Sequence, residues 1–274
     1  MKSVIFSICI LWLLGCSGRS QTVPIKQAFL KADTAISLVA PEDKRFKGRE
    51  VPVLCYHQVR DWKATDSRSA RTYIMPSTRF QAQLRMLHDS GYHTISPDQL
   101  ADYLLHDSTL PEKPVLLTFD DGTTSQYTGA LPELERYSFK AAFFIMTVTL
   151  DRPGYLGRKQ VRELNMLGHT IGCHSWDHHD VRHYTGQDWE LQLQKPTKLL
   201  EDITGKRMRH FAYPFGAWNS EAVVQLKKHR YVSAFQLSGP KDPAEPIYTI
   251  RRIIVDGHWT ADQLNRAMKN SFNQ

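Results

Sequence analysis

Two carboxylates stand side by side in "LLTFDDG" (Leu116 to Gly122), where a largely apolar run drives straight into Asp120 and Asp121. Neighbouring acids at the end of a buried strand repel each other and lose hydration. A fold keeps them only where a cation or a proton-transfer duty compensates. Asp-Gly is also a common turn dipeptide, and the fragment alone leaves both readings open. The segment "HTIGCHSWDHHD" adds His174 and His178, four residues apart. On a helical turn that spacing sets both imidazoles on one side, able to share a metal ion. Asp121, from another strand, would complete a His–His–Asp set with open positions for water and substrate. Its neighbour Asp120 would then stay unligated, as a proton acceptor. A third segment, "RHFAYPFG", offers Arg209, Tyr213 and Gly216. The fixed charge of Arg209 is expected to pair with the free carboxylate and hold its orientation and pKa.

The elements that must position these groups alternate in type. The folded unit is expected over residues 51–274, opening with the short apolar run "VPVLCYH". "FQAQLRMLHDSG" places Phe80, Leu84 and Leu87 on one helical face, with Gly91 as the stop. "SPDQLADYLL" carries Ser96 as N-cap, Pro97 in the first turn and Gln99 closing a capping box. The runs "PVLLTF", "AAFFIM", "HTIGCH", "HFAYP", "VSAFQL" and "YTIRRIIV" read as strands, separated by helical patterns. A helix over 188–203 is expected to kink or split at Pro196. Alternation of this kind predicts an α/β chain of parallel strands with helical crossovers, better suited to a (β/α) barrel than to an open sheet. In such barrels reactive groups collect where strands end.

The first sixteen residues stand apart, with Lys2 ahead of "VIFSICILWLLG", a run too short to span a bilayer comfortably. They read as an export signal, and "LLGC" resembles the bacterial lipobox, in which Cys16 is lipidated and becomes the mature first residue. Ser17 after it resembles lipoproteins sent to the outer membrane. Residues 17–50 are polar and read as a tether. Four cysteines include Cys9 and Cys16 of the leader, so only Cys55 and Cys173 remain, too few for a disulfide scaffold. Their pairing is left open. The net charge of +7 comes from scattered Lys and Arg, without a basic run. It is read as a solvated surface suited to anionic envelope polymers, and nucleic acid is not expected as a partner.

"TFDDG", "HSWDH" and "RHFAYPFG", in this order, resemble the first three motifs of the polysaccharide deacetylases, carbohydrate esterase family four, with the NodB-homology fold. The resemblance covers the chain from Val51 onward. It implies a distorted (β/α) barrel of about seven parallel strands and metal-dependent removal of acetyl groups from a sugar polymer. Carried over, Asp120 is the catalytic base, Asp121, His174 and His178 bind the metal (most readily zinc), and Arg209 tethers the base. The backbone N–H of Tyr213 would help stabilise the oxyanion. His179 stands where the family usually has proline, and some relatives place that ligand one residue later, so His179 is an alternative to His178. The family's late histidine, its general acid, has no clear match. His258 in "VDGHW" is the nearest candidate, while His57 is read as a packed side chain. Trp176, Trp218 and Trp259 are candidates for stacking on sugars, or for the core. The opening "VPVLCYHQV", the leader and "IRRIIV" resemble the branch acting on poly-β-1,6-N-acetylglucosamine. Peptidoglycan, chitin and xylan are alternative polymers, and a non-catalytic carbohydrate-binding lipoprotein is the alternative outside enzymes.

Overall fold

The computed structural model describes residues 50–272. The expected leader with Cys16, and the tether up to residue 49, lie outside them. Among the described residues no helix is long and apolar enough to cross a membrane.

Strand β1 (Val53–Tyr56) is buried along its length, as a run without polar alternation requires. A short excursion follows, β2 (Gln58–Val59), α1 (Arg68–Thr72) and β3 (Ile74–Met75), its two strands paired in parallel. Nothing in the hydrophobic periodicity marks it. Helix α2 (Ser77–Asp89) buries Phe80, Leu84 and Leu87 as their spacing predicts, and Gly91 follows at φ 74°. After β4 (His93–Thr94), α3 (Pro97–His106) opens with the expected Ser96–Gln99 capping box. Then come β5 (Pro114–Phe119), α4 (Leu131–Arg136), β6 (Ala141–Ile145), α5 (Arg158–Met166) and β7 (Thr170–Cys173). The helix expected to kink or split at Pro196 runs on without a break, widening over Glu190–Gln194 ahead of α6 (Lys195–Thr204), which has the proline in its first turn. The chain continues through β8 (His210–Ala212), α7 (Ser220–Lys228), β9 (Ser233–Phe235) and β10 (Ile253–Ile254). It ends in α8 (Ala261–Phe272), where Thr260 and Gln263 exchange capping hydrogen bonds.

The main sheet runs β10-β1-β5-β6-β7-β8-β9, with β4 added at the start of β5, and every pair is parallel. It curls on itself, because Ile250, just ahead of β10, bridges back to Phe235 of β9. This is the expected distorted barrel. Its core includes a stack of rings from adjacent strands, with Phe119 lying 5.4 Å from Tyr56 and 5.0 Å from Phe143. Gly172 lets β7 close on its neighbours, since a Cβ there would meet the Phe144 ring at 2.5 Å.

Parallel pairing has one consequence for chemistry. All strands finish on the same rim, so Asp120 after β5, His174 after β7 and Tyr213 after β8 share one end of the barrel. Arg209 precedes β8 and therefore lies at the other end.

Candidate active site

The three residues Asp121, His174 and His178 converge. Their ligand atoms lie within 4.8 Å of one another. His174 is fixed by its own backbone, whose N–H donates to Ile145 O at 3.0 Å, and by its ring, whose Nδ1–H donates to Ala212 O at 2.7 Å. A carbonyl can only accept, so the proton sits on Nδ1 and Nε2 is a bare acceptor. That acceptor faces Asp121 Oδ1 at 3.5 Å, and His178 Nε2 lies 3.7 Å from the same oxygen. Asp121 Oδ1 is buried without a hydrogen-bond partner. Acceptors pointed at one another in a shielded pocket need a cation between them, and this donor set suits a divalent metal. Burial draws His178 down to about 4, so the ring is neutral and able to ligate at ordinary pH.

The histidines meet by another route than their spacing suggests. Residues 174–180 form bends rather than a helical turn, and Ser175 and His178 both take positive φ, 64° and 68°. The Ser175 hydroxyl accepts from the His178 N–H at 2.9 Å and ties the bend. Asp121 and Phe215 also sit at positive φ, 75° and 59°, so left-handed backbone gathers around this centre. His179, the alternative ligand, points elsewhere: its ring is exposed and hydrogen-bonds Asp177 at 2.6 Å.

Asp120 is separate from that trio, and its partner is Arg252, not Arg209. Arg252 Nη1 donates to Asp120 Oδ1 and Nη2 to Oδ2, each at 2.7 Å, with both side chains buried. Burial alone would raise the Asp120 pKa. The charge of Arg252, with its paired hydrogen bonds, outweighs it and holds the carboxyl well below its ordinary value. Arg209 instead donates through Nε to Asp98 at 2.7 Å, where His210 Nε2 also reaches. The reason is position: a strand's length, on the order of 10 Å, separates Arg209 from the reactive rim.

Tyr213 is corrected too. Its N–H donates to Phe235 O at 3.0 Å in the β8–β9 ladder and is not free for an oxyanion; its phenol is buried. The turn that follows is bonded from the N–H groups of Gly216 and Ala217, and the Phe215 N–H takes part in neither bond. His258 is exposed, hydrogen-bonds Asp256 at 2.7 Å and rests on the Trp62 ring, outside the cluster. Trp218 and Trp259 pack partly buried against the core, and Trp176 is half-buried beneath the Lys195 ammonium.

Three residues join the site that motif reading passes over. His57, after β1, has a buried Nδ1 without a partner, and with Cys55 and Asp120 it brings ligand atoms within 4.8 Å. Burial lowers its pKa, against the opposing pull of Asp120. Cys55 is a free buried thiol lying 3.4 Å from Asp120 Oδ2, and Cys173 is free as well. Gln126 Nε2 donates to the carbonyls of both His57 and Asp120, pinning two strand ends together. Only the strand-end position of His57 was available as a signal; Arg252 offered none that set it apart from Arg251 beside it.

The sequence model of the polysaccharide deacetylase family matches residues 107–234. A protein of Bacillus subtilis (strain 168) described as a polysaccharide deacetylase is 27% identical over 93% of this chain and 94% of its own length. The poly-β-1,6-N-acetyl-D-glucosamine N-deacetylase of Escherichia coli (strain K12) is 24% identical over 93% of this chain, which spans 43% of that relative. Among solved structures, a Streptococcus pyogenes deacetylase in complex with acetate superposes with a TM-score of 0.74 at 23% identity, covering 80% of this chain and 98% of its own. With a curled parallel sheet whose strand ends carry the paired acids and both histidines, the chain contains a polysaccharide deacetylase domain, a hydrolase of amide bonds.

Proposed function

We propose that this protein is a metal-dependent N-deacetylase that removes acetyl groups from N-acetylglucosamine units of a bacterial polysaccharide, foremost poly-β-1,6-N-acetylglucosamine. The observation that carries the reading is the division of labour between adjacent acids. Asp121 faces two histidine acceptors, while Asp120 is gripped by Arg252 and left out of the trio. A binding module has no use for that arrangement. The polymer is suggested by the E. coli relative, which aligns over nearly the whole chain.

Asp121, His174 and His178 would hold the ion, with zinc suited to their nitrogen and oxygen donors. Bound there, it would supply Lewis-acid charge beside the scissile amide and acidify water near neutral pH. Asp120 accepts the water's proton during attack on the amide carbon. Arg252 keeps that carboxylate ionised and aimed. The N–H of Phe215, in the turn after β8, would serve as the backbone donor to the developing oxyanion, a role worth roughly 3 kcal/mol per donor in comparable sites. The amine leaves with a proton, which His57, half-buried beside Asp120, would carry. Acetate and a free glucosamine unit result.

The test is acetate release from a panel of acetylated polymers: β-1,6-linked N-acetylglucosamine, chitin oligomers, peptidoglycan and xylan, each with and without a chelator. The β-1,6 polymer is expected to be the best substrate, with activity lost on chelation. Asp120→Asn should abolish turnover while metal content persists; near-normal activity of that variant overturns the assignment. Export and lipidation at Cys16, with the domain tethered at the outer membrane, belong to the same proposal. Labelled palmitate should enter the unaltered chain and not Cys16→Ser.

A further inference from the structure

Single exposed apolar side chains are ordinary, but exposed aromatic rings gathered around convergent polar groups mark a ligand contact. Two of the described large apolar side chains that stand exposed are aromatic, Tyr73 at 44% and Phe215 at 64%. Both touch histidines of the candidate centre. The Tyr73 ring meets His57 edge-on at 5.0 Å, and the Phe215 ring meets His178 at 4.4 Å. One lies on the β1 side of the paired acids, the other on the β7–β8 side.

Tyr73 stands at the end of α1, in the excursion between β1 and α2, and that excursion is firmly held. The Trp62 Nε1–H donates to Ile74 O at 2.8 Å, directly after Tyr73. The guanidinium groups of Arg71 and Arg79 lie 5.1 and 5.2 Å from the Trp62 ring. Gly257 donates from its N–H to Thr72 O at 3.0 Å and accepts from Arg79 Nη1 at 2.9 Å. The main-chain bond from Gln58 N to Tyr73 O, 3.1 Å, fixes the residue itself. A ring this exposed on a backbone this well anchored is presented outward, beside the proton-transfer groups.

We propose that Tyr73 is a substrate-binding residue whose ring stacks on a pyranose face of the polymer, forming one wall of a groove that Phe215 bounds on the other side. Pyranose faces carry rows of C–H groups, which suit the negative face of an aromatic ring. The inference rests on the deacetylase reading and assigns a sugar contact within it. It binds the sugar ring and takes no part in proton transfer, so its removal acts on affinity.

The experiment measures binding of a β-1,6-linked N-acetylglucosamine pentamer by calorimetry, alongside acetate release, for Tyr73→Ala, Tyr73→Phe and Tyr73→Leu. Tyr73→Ala should weaken pentamer binding and raise KM about tenfold, as loss of one buried ring face would, with kcat close to unchanged. Tyr73→Phe keeps the flat ring and should match the unaltered protein; Tyr73→Leu keeps apolar bulk and should behave as the alanine variant. Equal binding by the leucine and phenylalanine variants overturns the proposal, and this pair stays informative should the alanine variant fold poorly. A fall in kcat at constant KM also overturns it, since that would mean Tyr73 acts through His57. If the unaltered protein binds pentamer without releasing acetate, the deacetylase reading fails while the sugar contact is still judged by the variants. No pentamer binding at all sinks both.

Discussion

In the proposed mechanism Asp120 accepts a proton, which a carboxylate does well only if its lone pairs are held on target, and Asp120 is held by a two-pronged grip. The fork of Arg252 matches both carboxylate oxygens, a geometry that lysine's point charge cannot reproduce. Arg252→Lys is therefore expected to lower kcat on the order of 10²-fold through misaim of the base. Arg252→Ala should in addition destabilise the fold by about 3–5 kcal/mol, because the buried carboxylate is left unpaired. Arg209→Ala, by contrast, should leave kcat close to the unaltered value, as its partner is Asp98 on the far rim. Steady-state kinetics with a denaturation curve for each variant checks all three. Asp120, Asp121, His174 and His178 were legible in the sequence because adjacent acids after an apolar run, and two close histidines after another, are local signals. Arg252 was not, since two arginines fit the role on charge alone and only the curl of the sheet selects between them. The Tyr213 N–H was misread for a related reason: the residue ends a strand, and the ladder takes that donor first.

Elements with strong local chemistry were legible almost to the residue. The capping boxes at Ser96 and Thr260 and the buried face of α2 all depend on neighbours close in the chain. The excursion β2–α1–β3 was hidden because its strands are two residues long, too short for a period to show. What fixes it is tertiary, and Gly257 is the tightest point. A Cβ there would lie 2.1 Å from Ile74 O and 2.2 Å from Arg71 O, both backbone atoms that cannot swing aside. Gly257→Ala should therefore cost about 1–3 kcal/mol, the range for overpacking, or displace the excursion bodily. A denaturant midpoint reads the first outcome, and a loss of pentamer affinity with kcat preserved reads the second.

Seen whole, the barrel keeps one neutral histidine far from the reactive rim. His169 precedes β7, fully buried, with Nδ1 accepting from the Ala141 N–H at 3.2 Å. Burial, and then the charge of Lys140, pulls it down to about 4 from its ordinary 6.5. The unfolded chain then binds more protons than the folded one between those values. Stability from this group is complete above pH 6.5 and declines as pH falls toward 4, by up to about 3 kcal/mol. Urea midpoints between pH 7 and 4.5 should fall accordingly, and His169→Gln should flatten the dependence. The chain's path adds a last consequence. The last strand, β10, pairs with β1 from the opposite end of the described chain while Ile250 ahead of it bridges to β9, and this closure delivers Arg252 to Asp120. Pairings so distant along the polypeptide form late and slowly. A partly synthesised molecule thus carries its reactive acids without their counter-charge, and hydrolytic competence arrives together with the final turn of the sheet.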